Sequence, residues 1–337
     1  MPHTQRRLSR RLRMIHMASV ALAAAALVLA VWIFGFRSGV RQEATVVVNP
    51  GASVTSVARQ LKEQGLIKGE KEFKVLVVGF GGRVRHGVYD IPQKAGAWRI
   101  ARMIARGEVA STTVMIPEGL TVRQIVAVLD ANRFLTGEAC ARDECARDGE
   151  LFPDTYKVSK GTPRAAVIDL MKRKMSEIER NWVLAGRKRP SPLKDWNEVI
   201  TLASIVQKET PRVSEMPRVA SVYINRLRKG MRLQADPTVV YAITDGLGDM
   251  QGKPLYTGHL KTQHPHNTYT NSGLPPHPIA NVGRAAIRAV LNPADTNYLF
   301  FVADGTGGHV FSRTLDEHNI RRAEWREIKR AKAEEEK

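Results

Sequence analysis

The chain has 337 residues, of which 43% are hydrophobic and 25% charged, a composition typical of a globular protein with one large domain or two to three small ones. Its net charge of +19 is exceptional. A chain this basic often binds nucleic acid. Here the N-terminal segment argues against that class, because it predicts a membrane anchor that keeps the folded part away from nucleic acid.

The N-terminal segment predicts a transmembrane helix over residues 14–36. Met17 to Phe36 is an uncharged run of 20 residues, long enough to span a bilayer core. Five arginines precede this run and two follow it, so residues 1–13 are predicted to be cytoplasmic and the rest of the chain to lie outside. A cleaved signal peptide is the alternative, but no polar cleavage region interrupts the run, which favours an uncleaved anchor. The basic outer part then faces anionic lipid or anionic cell-wall polymer.

The cysteines and histidines predict no metal site. Cys140 and Cys145 are the only cysteines, and in an oxidising compartment they either form a small-loop disulfide or remain separate thiols. They have no second Cys/His pair to complete a zinc site. The four histidines between residues 259 and 277 lack a helical ligand spacing such as H-E-x-x-H.

The first half of the chain contains an internal repeat. Val47 to Leu61 is similar to Val114 to Leu129, and from Ser53 and Thr121 onward the two copies align at an offset of 68 residues. Each copy predicts a strand, a Pro/Gly turn, a hydroxyl N-cap and an amphipathic helix. Coincidence is the alternative, but four matched positions in register favour a true repeat. Between the copies the pattern predicts a helix, a strand and a second helix, over Glu72–Phe80, Gly87–Ile91 and Trp98–Gly107.

The second half is predicted to be mainly helical, with one β-hairpin. A polar stretch over residues 131–149 is the predicted linker, and residues 321–337 are a charged tail, helical or frayed. The predicted helices and the two hairpin strands are Ala165–Trp182, Asp195–Thr210, Pro217–Lys229, Tyr298–Ala303 and His309–Ser312. Two further stretches are predicted to be mostly loop and turn, Leu233–Ala242 and His264–Ile279.

Glu209 is the candidate catalytic residue. It follows Val199 at i+10 and continues the apolar stripe of its helix, which Pro211 ends. Desolvation and the negative end of the helix dipole both raise the pKa of a carboxyl group placed there, as a general acid at neutral pH requires. A glutamate that only touches solvent at a helix end is the alternative. Ser204, between one and two turns earlier, either borders the same cleft or is a packed hydroxyl bonded to the backbone.

Eight motifs, in their order along the chain, resemble one protein family. They are Leu151–Tyr156, Leu202–Thr210, Val219–Leu227, Met231–Val239, Asn267–Tyr269, Gly273–Pro276, Pro278–Asn281 and Tyr298–Ala303. Together they resemble the endolytic murein transglycosylases, the MltG/YceG-like family, from the membrane anchor to about Asn319. The chain departs from the family pattern at Gln207, His266 and His277, and the two histidines could alter subsite contacts.

The resemblance implies an α+β fold with an N-terminal transmembrane helix. LysM-like βα modules would occupy residues 43–130, and a lysozyme-related, mainly helical catalytic domain with an added β portion would occupy residues 150–320. Glu209 takes the place of the family's essential glutamate. The residues implied to line the cleft are Gln234, Asp236, Thr238, Asn267 and Tyr269. From the residues alone, Asp236 would organise a turn before Pro237.

The implied reaction cleaves the β-1,4 bond between MurNAc and GlcNAc with one carboxylate. The C6 hydroxyl of MurNAc replaces the attacking water and leaves a 1,6-anhydro end, so neither a metal nor an organic cofactor is required. Peptidoglycan strands are the implied substrate, and glycan-polymerising penicillin-binding proteins of the same membrane are the implied protein partners. The alternatives are a non-catalytic, membrane-anchored peptidoglycan-binding scaffold and a muramidase that uses water.

Overall fold

A computed structural model describes residues 14, 16–28, 40–140, 145–186 and 188–335 of the protein. Residues 16–28 are helical and form α1. Within the described ranges, no helix combines the length and apolar character needed to cross a membrane. The predicted cytoplasmic segment and the last eight residues of the predicted transmembrane helix lie outside the described residues.

The fold is of the mixed α+β class, as predicted. Its strands are β1 (Ala44–Val48), β2 (Gly87–Ile91), β3 (Ser111–Met115), β4 (Thr155–Ser159), β5 (Phe300–Ala303) and β6 (His309–Ser312). The helices after α1 are α2 (Val54–Glu63), α3 (Glu70–Gly79), α4 (Ala97–Arg106), α5 (Val122–Asp130), α6 (Arg164–Leu184), α7 (Trp196–Glu209), α8 (Met216–Arg228), α9 (Asp236–Ile243), α10 (Arg284–Leu291) and α11 (Leu315–Glu335).

The chain divides into two compact units. The first comprises Met1–Thr112 with Val158–Gly161, and the second comprises Thr113–Lys157 with Thr162–Lys337. The second copy of the sequence repeat, formed by β3 and α5, therefore falls mainly in the second unit. The extent of the LysM-like region stays a prediction.

The first unit contains a strand–helix–helix–strand arrangement in which β1 and β2 pair antiparallel, with Val46 opposite Tyr89. Val46, Val48 and Tyr89 alternate with exposed or half-buried neighbours and are themselves almost completely buried. They join α2, α3 and α4 in one hydrophobic core. Gly107 ends α4 in the left-handed region at φ 71°, as predicted for a glycine C-cap.

The two copies of the repeat have the predicted local structure. In each copy a strand and a turn lead into a helix that begins after a hydroxyl N-cap. The side chain of Ser53 accepts the N–H of Ser56 at 3.1 Å. Thr121 forms a complete capping box with Gln124, because each side chain accepts the main-chain N–H of the other.

The second unit is built around α7, which packs against α8, α9 and α10. Every residue from Val199 to Val206 is buried, so the middle of α7 forms the centre of the hydrophobic core. The predicted hairpin is confirmed, with β5 and β6 paired antiparallel in a register that places Phe301 opposite Phe311. Both of these rings pack against the same core.

Two local predictions require correction. The segment Leu233–Ala242 was predicted to be mostly loop, but α9 begins at Asp236, because Pro237 occupies its first turn, where a missing N–H has no cost. The spacing of Asp195 and Glu198 in the sequence predicts a capping box at the start of α7, but only half of it forms. Asp195 accepts the N–H of Glu198 at 2.8 Å, whereas the Glu198 carboxylate accepts the N–H of Lys194 at 2.6 Å.

The described residues of the predicted linker contain no helix or strand. Cys140 and Cys145 form a disulfide, which decides between the two possibilities that the sequence left open. The disulfide closes a small loop within the second unit.

Candidate active site

Glu209 is the last residue of α7, and Thr210 leaves the helix in an extended conformation before Pro211. Val199, earlier on the same stripe, is fully buried, whereas Glu209 keeps partial exposure where the stripe reaches the surface. The hydroxyl of Tyr223, on α8, donates a hydrogen bond to Oε1 of Glu209 at 2.6 Å. The α7–α8 packing therefore sets the position of this carboxyl group.

The surroundings of Glu209 raise its pKa to about 7. Burial is the largest cause, because the charged form loses hydration. The hydrogen bond from Tyr223 acts in the opposite direction, the negative charge of Asp236 adds to the rise, and the positive charge of Arg226 reduces it. A carboxyl group with this pKa is substantially protonated at neutral pH and can also lose its proton there, which suits a general acid and base.

Tyr223 and Arg226 are the functional candidates that sequence reasoning missed. They lie three residues apart on α8 and are 1% and 8% exposed. Arg226 is fixed by main-chain oxygens, since Nε donates to Leu299 and Nη1 to Leu233, each at 2.7 Å. The signal that could have found them is the i, i+3 spacing of a tyrosine and an arginine on a helix whose buried residues are mostly apolar.

Asp236 and Tyr269 form a second hydrogen-bonded pair near Glu209. The hydroxyl of Tyr269 donates to Oδ1 of Asp236 at 2.6 Å. Burial and this carboxylate raise the pKa of Tyr269, and Glu209 adds to the rise. Asp236 is an exposed first-turn acid of α9, rather than the turn residue that the sequence alone suggested. The structure thus brings two of the predicted cleft residues together near Glu209.

Gln234 is also exposed, two residues before Asp236, and its backbone lies in the left-handed region at φ 49°. A non-glycine residue in this region is uncommon and is stabilised here by its N–H, which donates to the carbonyl of Thr268 at 3.2 Å. Contact between Gln234 and a substrate stays a prediction, as it does for Asp236 and Tyr269.

The buried hydroxyls of Ser204 and Thr238 support the fold. Ser204 donates to the carbonyl of Thr201 at 2.7 Å and accepts the N–H of Ile279 at 3.0 Å. Thr238 donates to the carbonyl of Ala235 at 2.6 Å, and its hydroxyl also lies 2.9 Å from that of Thr268. Both side chains are 0% exposed. For Ser204, this agrees with the packed-hydroxyl alternative.

Asn267 is likewise 0% exposed and organises the loop that carries Tyr269. Its amide donates to the carbonyls of Leu260 and Thr262 at 3.0 and 2.8 Å, and its side-chain oxygen accepts the N–H of Tyr269 at 2.9 Å. In this arrangement Asn267 acts on the site through Tyr269. Its predicted place in the cleft lining stays a prediction.

The three departures from the family pattern have partners away from Glu209. Gln207 accepts the N–H of Gly283 at 3.2 Å. Nε2 of His266 lies 3.2 Å from Nδ1 of His277, and burial lowers the pKa of His266 to about 3. Their predicted influence on subsites stays a prediction.

A cavity of about 1240 Å³ lies at the opposite end of α7 from Glu209. Its lining includes Trp196, Asp148 and Tyr241. Trp196 and Glu209 are about 20 Å apart along the helix, from a rise of about 1.5 Å per residue. The cavity is therefore separate from the carboxyl group with the raised pKa. Across the described residues, no group of three or more His, Cys, Asp or Glu side chains is arranged to hold a metal.

The fold and the site together fit the class of enzymes in which a partly buried carboxylic acid performs general acid–base chemistry. The chain belongs to the YceG-like family, whose model matches residues 46–324. The family predicted from the eight motifs is therefore confirmed.

Curated relatives agree with this membership. A Bacillus subtilis protein named endolytic murein transglycosylase is 30% identical over 82% of this chain and 83% of its own length. A Streptococcus pneumoniae protein of the same name is 26% identical over 82% of this chain, which spans 57% of that relative. A solved yceG-like protein from Listeria monocytogenes is 28% identical over 83% of this chain and 99% of its own, with a TM-score of 0.49. The prediction that the chain is an enzyme of the lytic transglycosylase class is confirmed by the named relatives.

Proposed function

We propose that this protein is a membrane-anchored, endolytic lytic transglycosylase of peptidoglycan with Glu209 as its catalytic acid and base. The observation that carries the proposal is the carboxyl group of Glu209, whose pKa is raised to about 7 by burial at the end of α7. The murein transglycosylase names of the relatives supply the substrate class.

The reaction needs only this one carboxyl group. Glu209 donates its proton to the oxygen of the MurNAc–GlcNAc bond as the bond from that oxygen to C1 breaks. The resulting carboxylate then accepts the proton of the MurNAc C6 hydroxyl, whose oxygen bonds to C1. The products are a free GlcNAc hydroxyl and a 1,6-anhydro-MurNAc end, and Glu209 is protonated again for the next cycle. No water, metal or organic cofactor takes part.

The polar groups on the segments that bring Asp236 and Tyr269 near Glu209 are suited to holding a sugar. Gln234, Asp236 and Tyr269 present amide, carboxylate and hydroxyl groups, and partly closed sites of this kind position a substrate through several hydrogen bonds. The negative charge of Asp236 would also stabilise the positive charge that develops at C1. Thr238, Asn267 and Ser204 would support the loops and helices that carry these groups.

The predicted anchor would determine where in the cell the reaction takes place. A transmembrane helix over residues 14–36 would hold the enzyme at the outer face of the cytoplasmic membrane, where new glycan emerges. Cleavage within nascent strands there would terminate glycan chains and set their length. Penicillin-binding proteins that polymerise glycan would be its neighbours and its proposed partners.

The second candidate is a muramidase that uses water. The position of Asp236 near Glu209 favours it over a non-catalytic scaffold. Enzymes of that kind use two carboxyl groups across the scissile bond. Asp236 is exposed, acts electrostatically on Glu209 and could serve as the second group. The two candidates differ in product, because water leaves a reducing end. A non-catalytic scaffold would leave glycan uncut.

The decisive test is mass spectrometry of the glycan released from purified peptidoglycan by the full chain in detergent. Wild-type protein should release fragments with anhydro-MurNAc ends. Glu209→Gln keeps the size of the side chain and removes its acidic proton, so release should fall by roughly 100- to 10,000-fold with folding intact. Glu198→Gln, on the same helix but engaged with the N–H of Lys194, is the matched control and should cut normally.

Release of fragments with reducing ends would contradict the transglycosylase proposal and support the muramidase. Binding without cleavage by the wild type would favour the scaffold. Normal cleavage by Glu209→Gln would remove Glu209 from the mechanism.

A further inference from the structure

The hydroxyl of Tyr223 is fixed against the carboxyl group of Glu209. It donates to Oε1 at 2.6 Å, and the tyrosine side chain is almost completely buried. The ring packs edge-to-face against Phe301, with ring centroids 5.9 Å apart. Burial and the adjacent Glu209 raise the pKa of Tyr223 well above its usual value, so its hydroxyl keeps its proton and remains a donor. The geometry leaves Oε2 as the oxygen of Glu209 that exchanges a proton with a substrate.

Arg226 brings a positive charge to the same place. Two of its nitrogens donate to main-chain carbonyls, those of Leu299 and Leu233. These oxygens are neutral, and they fix the guanidinium without cancelling its charge. That charge lowers the pKa of Glu209, and Glu209 in turn acts on the pKa of Arg226. Arg226 therefore favours the carboxylate form of Glu209.

We propose that Tyr223 is a positioning residue that, supported by the charge of Arg226, holds Glu209 in one orientation and stabilises its carboxylate form. This inference rests on the proposed function, because that reaction asks one carboxyl group to act as acid and then as base. Stabilisation of the carboxylate lowers the barrier to the first proton transfer, in which Glu209 becomes charged. A carboxyl group stabilised only as the acid would be a weak proton donor.

The surroundings of Glu209 act on its pKa in two opposed sets of influences. Burial and Asp236, at the start of α9, favour the acid form, whereas Tyr223 and Arg226, on α8, favour the carboxylate. Tyr269 lies on the loop beyond α9. Its pKa is raised by the hydrogen bond and charge of Asp236 and by the charge of Glu209. Helix α10 also packs against α7, but among the described residues none of its charged groups shifts the pKa of Glu209. Together, the two sets of influences place the pKa of Glu209 at about 7.

The test uses Tyr223→Phe in the full chain, which keeps the ring and removes only the hydroxyl. Glu209 can be titrated directly by infrared spectroscopy of its protonated carboxyl band, assigned by its absence from Glu209→Gln. The pKa of Glu209 should rise by roughly one unit, as expected for loss of a hydrogen bond to a charged group. The alkaline limb of the rate profile should move up with it, and kcat should fall about tenfold with KM unchanged.

Tyr241→Phe is the matched control. The Tyr241 hydroxyl also donates to a carboxylate, that of Asp148, at 2.8 Å. Its removal should leave both the pKa of Glu209 and the rate profile unchanged. If Tyr223→Phe does not fold, Arg226→Gln provides the second variant, and loss of the positive charge should again raise the pKa of Glu209.

An unchanged pKa of Glu209 in the folded Tyr223→Phe protein would overturn the inference, even if its activity fell. The infrared titration requires no substrate, so it is independent of the proposed reaction. A raised pKa in Tyr223→Phe together with a wild type that cuts no glycan would count against the proposed function and leave the positioning role standing.

Discussion

Asn281 shows how a single side chain fixes the loops of the second unit. It is 0% exposed, and its side-chain oxygen accepts the N–H groups of Gly149 and Leu151, each at 3.0 Å. Its amide nitrogen donates to the carbonyl of Leu120 at 3.0 Å. One buried amide thus bonds three main-chain groups from two other segments, and the main-chain N–H of Asn281 adds a further bond to the carbonyl of Leu120 at 2.8 Å.

Asn281→Asp should destabilise the protein by roughly 2 to 4 kcal/mol at neutral pH. The variant loses the amide donor to Leu120 and places a carboxyl group in a buried site, where it must either be buried as a charge or take up a proton. Urea unfolding followed by tryptophan fluorescence measures the change. Asn292→Asp, at an exposed residue whose amide donates to Arg288, is the control and should cost less than about 1 kcal/mol. Equal effects at both sites would contradict the role assigned to Asn281.

At the residue scale, the sequence identified Glu209 but not Tyr223 and Arg226, which lower its pKa. Its i+10 spacing from Val199 and the proline that ends the helix can be read without a structure. Tyr223 and Arg226 are separated from Glu209 by a helix boundary, and their approach depends on how α8 packs against α7. Periodicity gives the face of one helix, but it does not say which residues of a neighbouring helix that face meets.

At the scale of elements, the β5–β6 hairpin is attached to the start of α8 by a buried carboxylate. Glu215 is 5% exposed and accepts the main-chain N–H of His309 at 3.2 Å, and Nδ1 of His309 lies 2.8 Å from its other oxygen. Burial raises the pKa of Glu215, but its hydrogen bonds to His309 and the charge of Arg212 more than offset this, and the net pKa is lowered.

A lowered carboxyl pKa makes stability depend on pH in a defined direction. The ionised form of Glu215 stabilises the folded state above its usual pKa of 4.5, and this contribution is lost as the pH falls through the lowered folded-state value. We expect the urea midpoint of the wild type to fall as the pH is lowered from 6 towards 3. Glu215→Gln should be less stable at pH 6 and should lose less over the same interval. Parallel pH curves for the two proteins would show that Glu215 is not the group responsible.

The elements themselves were predicted with uneven success for physical reasons. The antiparallel hairpin, the hydroxyl-capped repeat and the glycine that ends α4 depend on local chemistry and were found. The helix α9 was missed because Pro237 and the polar residues before it are also typical of a turn. What selects the helix is burial of its apolar side, with Val239 at 0% exposure, and this depends on residues distant in sequence.

At the scale of the whole molecule, the basic charge and the apolar N-terminal run point to one arrangement. The folded units would lie outside the cytoplasmic membrane, held by residues 14–36, with their excess positive charge facing anionic lipid or wall polymer. The relatives support a murein enzyme and leave this arrangement as a prediction. It determines which glycan the enzyme meets, because a tethered active site reaches only strands close to the membrane.

The anchor can be tested without reference to activity. After alkaline carbonate extraction the full chain should stay with the membranes, because a 20-residue apolar run gives effectively irreversible insertion. A version in which a cleavable signal peptide replaces residues 1–42 should be released in soluble form. Protease added to cells whose outer layers are removed should digest the full chain from its C-terminal side and spare a tag placed before residue 14. Extraction of the full chain, or protection of its C-terminal part, would contradict the predicted topology, since either requires that the apolar run does not hold the folded units at the outer surface.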